Sequence, residues 1–124
     1  MHRKNILLAE DDADLRDLYS FILKQAGFEV MPVEDGQSAL NELQRCRPDI
    51  LITDVMMPGM SGLELIEHIK KEKELCDLPV ILISAHKDFI DLAQSKGATE
   101  VIQKPIDVYG FVSTLLNLAD KPGH

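Results

Sequence analysis

The chain has 124 residues, 45% of them hydrophobic, and a formal charge of −8. That length suits one domain with a real core. The acidity and the lack of a basic stripe argue against direct nucleic-acid binding. No apolar run approaches the roughly 20 residues that span a bilayer. The apolar run after Met1-His2-Arg3-Lys4 is too short for a signal peptide, so a cytoplasmic protein with no membrane contact is expected. Cys46 and Cys76 form neither a CxxC nor a metal spacing and are read as reduced, inert thiols.

A first strand covers 5–9 and stops on Glu10-Asp11-Asp12. Leu15, Leu18, Tyr19, Ile22 and Ala26 then recur at helical spacing over about 13–26, with Asp12 or Asp14 at the helix start and Gly27 at its end. Residues 28–33 form a second strand, and Pro32 suits it to an edge. Asp35-Gly36 opens a second helix that buries Ala39, Leu40 and Leu43. A third strand, 49–53, carries Asp54 at its tip. The third helix covers about 61–73, with Leu63, Ile66 and Ile69 inward and Lys70 to Glu74 as a solvated end.

The run 78–83 is the most apolar strand, expected at the sheet centre, and it ends on Ser84-Ala85. A short fourth helix over about 87–95 has a thin apolar pattern, with Phe89, Leu92 and Ala93 as its inward candidates. The last strand, 99–103, ends on Lys104-Pro105. Val108, Phe111, Val112, Leu115 and Leu116 give an amphipathic final helix over about 107–120. Strands alternating with helices specify an α/β fold. The expected form is flavodoxin-like (βα)5: a five-stranded parallel sheet in order 2-1-3-4-5 with helices on both faces.

In such a sheet ligands bind beyond the carboxyl ends of the strands. The tips supply Glu10 and Asp11, Asp54, Ser84 and Lys104. Three clustered carboxylates against one ammonium leave an excess of two negative charges, which a divalent cation would cancel. Oxygen donors select a hard ion, Mg2+, with Mn2+ able to substitute. Asp11 and Asp54 are the direct ligand candidates, Glu10 acts through water, and the Met56 carbonyl can add a third protein oxygen. Asp54 could then attack phosphorus as a nucleophile, with the cation, the Ser84 hydroxyl and the Lys104 ammonium each taking a phosphoryl oxygen.

Taken alone, Asp54 could be a helix cap, Ser84 a turn serine and Lys104 a surface lysine. Asp12 suits a first-turn acid better than a ligand. His86 reads equally as a rim residue or an exposed loop histidine, and His2, His68 and His124 as solvent-exposed. Read together, Glu10-Asp11, Asp54 followed by Met57-Pro58-Gly59-Met60-Ser61-Gly62, Ser84-Ala85 and Lys104-Pro105 resemble the response-regulator receiver domain of two-component signalling. The resemblance covers nearly the whole chain. It implies that Asp54 is the phospho-acceptor, that Glu10, Asp11 and Met56 serve Mg2+, that Ser84 is the switch hydroxyl, and that Lys104 pairs with the phosphoryl group. It also implies a cis Lys104-Pro105 bond.

The implied partners are a sensor histidine kinase or histidine phosphotransfer protein upstream and a protein target downstream, read through helix four, strand five and helix five. The chain departs from the family at Val101, where the family has an aromatic ring; a switch here would rely on the loop 84–88 and helix four. One receiver domain over 1–124 is expected, with no output domain in this chain and no turnover of a free substrate. Three rivals are weaker. A haloacid-dehalogenase-like phosphatase needs a second acid at Met56. An interaction module without phosphorylation would have lost Asp54 or Lys104. A flavin-mononucleotide binder would meet acids in its phosphate loop.

Overall fold

A computed structural model describes residues 4–120 of the chain. In chain order the elements are β1 (Asn5–Ala9), α1 (Ala13–Gln25), β2 (Glu29–Val33), α2 (Gly36–Arg45) and β3 (Ile50–Asp54). They continue as α3 (Gly62–Lys71), β4 (Val80–Ser84), α4 (Asp88–Ser95), β5 (Glu100–Gln103) and α5 (Val108–Asp120). The strands are all parallel, in the order β2-β1-β3-β4-β5. This is the flavodoxin-like order expected from the sequence. β2, with its proline, lies on an edge. β4 lies inside the sheet but one place off centre; β3 holds the middle, and every residue of both strands is buried.

Local chemistry sets the helix starts. The side chains of Asp12, Asp35 and Ser61 accept hydrogen bonds from the backbone N–H of Leu15, Ser38 and Glu64, each satisfying one of the unpaired donors of a first turn. Lys87, at the cap position before α4, makes no side-chain cap hydrogen bond. Gly27 and Gly97 follow α1 and α4 at φ of +100° and +104°, a conformation that favours glycine.

Alternation along the strands divides the core in two. Leu7, Leu51 and Leu82 face the layer of α2, α3 and α4, where Leu43, Leu65, Ile66, Ile69 and Ala93 are buried. Ile6, Leu8, Ile52 and Ile83 face α1 and α5, meeting Tyr19, Leu23, Phe111, Leu115 and Leu118.

Four residues expected inward are exposed: Leu18, Leu92, Val108 and Leu116. Leu23, Leu65 and Leu118 are buried in addition to those expected, while Leu63 is only partly covered. The apolar stripe of each helix is wider than the arc its sheet covers, so residues at the stripe's margin stay wet. Lys70 is more than a solvated lysine: its ammonium donates to the Cys76 carbonyl at 2.9 Å. Cys46 and Cys76 are free and exposed, and His68 is exposed. His2 and His124 lie outside the described residues.

Candidate functional site

The site begins where β1 runs out. The Glu10 N–H donates to the Val33 carbonyl (3.1 Å), extending the sheet by one bond. The Glu10 side chain turns inward and is almost wholly buried. Its Oε2 accepts from the Asp12 N–H at 3.1 Å. Asp12 itself caps α1 (Leu15 N to Oδ1, 3.0 Å), as expected of a first-turn acid. Asp11 stays exposed at the rim. The Arg16 guanidinium reaches back from α1 and donates to the carbonyl oxygens of Glu10 (2.8 Å) and Asp11 (3.4 Å).

Asp54 is the last residue of β3 and is buried. Its Oδ1 accepts from the Met56 N–H at 3.2 Å, and its Oδ2 from the Lys104 ammonium at 2.7 Å. Beneath it, α3 starts so close that a Cβ on Gly62 would stand 2.3 Å from the Asp54 carbonyl oxygen. Only glycine lets the helix approach there. Lys104 also reaches Glu10 Oε1 at 3.4 Å. Its backbone N–H donates to the Ser84 carbonyl (2.8 Å), tying the tips of β4 and β5 together. The Lys104-Pro105 bond is cis.

One oxygen each from Glu10, Asp11 and Asp54 gather within 4.8 Å of one another. Burial is the largest influence on Glu10 and pushes its carboxyl up to about 7; the Asp54 charge adds to this, and the Asp12 N–H and Lys104 charge oppose it. For Lys104 burial pulls downward, but the hydrogen bond and charge of Asp54 and the charge of Glu10 outweigh it, so the ammonium is held above its usual range. An all-oxygen, carboxylate-rich donor set of this size fits a hard divalent cation such as Mg2+.

The structure thus brings together four of the residues singled out from the sequence: Glu10, Asp11, Asp54 and Lys104. Met56 adjoins Asp54 through its backbone, while its side chain is exposed. Ser84 is buried at the neighbouring tip, with its hydroxyl donating to the His86 carbonyl and accepting from the His86 N–H, both at 3.0 Å. The His86 side chain is exposed, with its ring edge-on to Phe89. Val101 is half-buried against the α2–α3–α4 side of the core. Sequence reading missed Arg16 and the steric role of Gly62. Arg16 lies four residues beyond the Asp12 cap, where an arginine can turn back over the loop; Gly62, next to the Ser61 cap, gave no signal of its contact with Asp54.

A parallel α/β sheet with acids, a lysine and a buried hydroxyl at its strand tips defines a protein with one acidic, cation-suited crevice. The model of the response regulator receiver domain matches residues 6–115, and the chain belongs to that family, whose members are signalling domains of two-component systems and not turnover enzymes. It is 38% identical over 104 residues to the phosphate regulon transcriptional regulatory protein PhoB of Escherichia coli, covering 82% of this chain and 45% of that protein.

Among solved structures it resembles the receiver domain of a signal transduction histidine kinase from Syntrophus aciditrophicus. The two are 31% identical with a TM-score of 0.88, over 98% of this chain and 95% of that one. The chemotaxis protein CheY4 of Vibrio cholerae is 27% identical with a TM-score of 0.87, over 94% of this chain and 99% of that one. The chain spans about half the length of the curated relatives it matches. No helix among the described residues is long and apolar enough to cross a membrane.

Proposed function

We propose that the chain accepts a phosphoryl group on Asp54 from a phosphohistidine of a sensor histidine kinase or a histidine phosphotransfer protein. The observation that carries this reading is the convergence of two other strand tips, those of β1 and β5, on Asp54: the Lys104 ammonium at 2.7 Å, and Glu10 and Asp11 oxygens within 4.8 Å. Mg2+, with Mn2+ as a substitute, fits the oxygens of Glu10, Asp11 and Asp54 and the Met56 carbonyl; when bound it neutralises their charge and that of the phosphoryl group.

The Asp54 carboxylate attacks phosphorus, the P–N bond to the donor imidazole breaks, and the electron pair leaves with the ring nitrogen. Lys104 shifts from Asp54 to a phosphoryl oxygen, so its charge moves with the charge it stabilises. The Ser84 hydroxyl has a partner, the His86 carbonyl, that it can exchange for a second phosphoryl oxygen by rotating. Hydrolysis of the same acyl phosphate resets the signal.

Losing that hydroxyl would free the 84–88 loop and, with it, α4. Three features support α4 as the mobile element: no side-chain cap, eight residues, and Ala93 as its one buried residue. The half-buried Val101 has no ring to swing, so the output passes through the loop and α4 to the surface of α4, β5 and α5, where a downstream protein would read it. Residues 1–124 act as one receiver domain. The charge of −8 supports a domain that does not itself touch nucleic acid. The free, exposed thiols suit a reducing cytoplasm.

The test is acetyl phosphate, or beryllofluoride as a mimic, with Mg2+, followed by intact mass and NMR. The native chain should gain one phosphoryl mass and shift the amides of 84–95. Asp54→Asn should gain nothing. Lys104→Ala should slow uptake about a hundredfold. Equal labelling of the native chain and Asp54→Asn would overturn the reading.

A further inference from the structure

Tyr19 lies on the inner side of α1 and is 4% exposed. Its ring is tilted at 57° to that of Phe111 on α5, with the centroids 6.1 Å apart. A phenylalanine would pack there as well. The hydroxyl is the atom that packing leaves unexplained. Buried tyrosines ordinarily give theirs a partner, yet among the described residues this one makes no hydrogen bond.

Helix side chains lean toward the N-terminus of their helix. α1 starts at the acceptor end of the sheet, straight after Glu10, Asp11 and Asp12. The Tyr19 ring therefore rises toward the crevice. It lines a cavity of about 520 Å³ together with Ala85, Lys104 and Pro105. Burial holds the phenol above its usual range; the Lys104 charge pulls it down, and the charges of Glu10, Asp54 and Asp12 push it up. The hydroxyl thus feels the acceptor crevice from below.

An ammonium carries three N–H donors. Lys104 gives one to Asp54 at 2.7 Å and one to Glu10 at 3.4 Å. Among the described residues the third has no protein partner. An unused donor and an unused acceptor therefore line one cavity, with room between them for ordered water.

We infer that Tyr19 is a positioning residue for Lys104, its hydroxyl oxygen accepting the third ammonium N–H through one bridging water. The inference rests on the phosphoryl-transfer reading above, in which Lys104 leaves Asp54 for a phosphoryl oxygen. An ammonium held from a third side pivots between those two oxygens. Without that hold it drifts toward solvent, to which its side chain is 21% exposed.

The test is a pair of double-mutant cycles on Tyr19→Phe and Lys104→Met. One follows the rate of phosphoryl uptake from acetyl phosphate with Mg2+ by intact mass. The other follows the urea unfolding equilibrium in a chelator. Tyr19→Phe keeps the ring against Phe111 and removes only the hydroxyl. It should slow uptake about tenfold in the native chain and less than about twofold beside Lys104→Met. It should shift the unfolding equilibrium about fivefold in the native chain and less than about twofold beside Lys104→Met. A ring that matters only for packing would act equally in both backgrounds. Tyr109→Phe takes a hydroxyl from an exposed ring and should match the native chain in both measurements.

Equal effects of Tyr19→Phe in the two backgrounds, in either cycle, overturn the inference, as does a Tyr19→Phe chain that behaves as native. A native chain that takes up no phosphoryl group overturns the phosphoryl-transfer reading instead, and the unfolding cycle then decides the place of Tyr19 by itself.

Discussion

The two helical layers cover their shared sheet differently. Three short helices, α2, α3 and α4, lie on one face, and two long ones, α1 and α5, on the other. Among the described residues the three-helix side leaves one large apolar helix residue exposed, Leu92, whereas the two-helix side leaves five. The same amphipathic pattern therefore has two fates. Where neighbouring helices stand close, the stripe is consumed by the core. Where two helices must span the sheet alone, the gap between them becomes a groove and the stripe's margin becomes surface.

The largest expected effect tests that contrast directly. Ile66, fully buried on the inner side of α3, should cost about 2–5 kcal/mol when cut to alanine. Leu116→Ala, on α5, should change monomer stability by less than about 0.5 kcal/mol. Urea unfolding at low protein concentration measures both, and equal costs would erase the distinction. Next comes the point where α3 meets the tip of β3. Gly62→Ala forces a Cβ against the Asp54 carbonyl, so it should lose about 1–3 kcal/mol and slow phosphoryl uptake, read by the same unfolding curve and by intact mass.

Glu10 gives a pH-dependent case. Its folded carboxyl titrates near 7 against a reference of 4.5. Below 4.5 it is protonated in both states and costs nothing. From 4.5 to about 7 the unfolded chain releases the proton first, so native stability falls as pH rises, and above 7 the full penalty stands. Glu10→Gln should therefore gain stability over the native chain across that window, measured by denaturant unfolding in a chelator. A constant difference would contradict the buried setting of Glu10. The smallest effect is expected at the Glu67–Lys96 ion pair, which joins α3 to the residue after α4. Glu67→Gln should leave the melting temperature nearly unchanged, since exposed pairs add little.

The strands and their tips were legible because both signals are local: an apolar run, then a chemically distinct residue where it stops. Asp54, Lys104, Glu10 and Asp11 therefore stand out in the sequence as strand-tip residues, and the structure has them side by side. The burial of Leu23 over Leu18, or of Leu118 over Leu116, was not legible, because it depends on how far each helix stands from its neighbour. The Ser84 hydroxyl's attachment to His86 was equally hidden, since a serine rotamer leaves no trace in the sequence. Arg16 escaped because its bonds go to main-chain oxygens, which every residue possesses.

That last contact has a consequence for redesign. Arg16 grips the β1–α1 turn by its carbonyls and leaves the acidic side chains unclaimed. At Asp11 the loop's charge is therefore adjustable apart from its shape, and an engineer could exchange that acid while the turn stays anchored, whereas Glu10 also accepts from the Asp12 N–H and so helps to hold the turn itself.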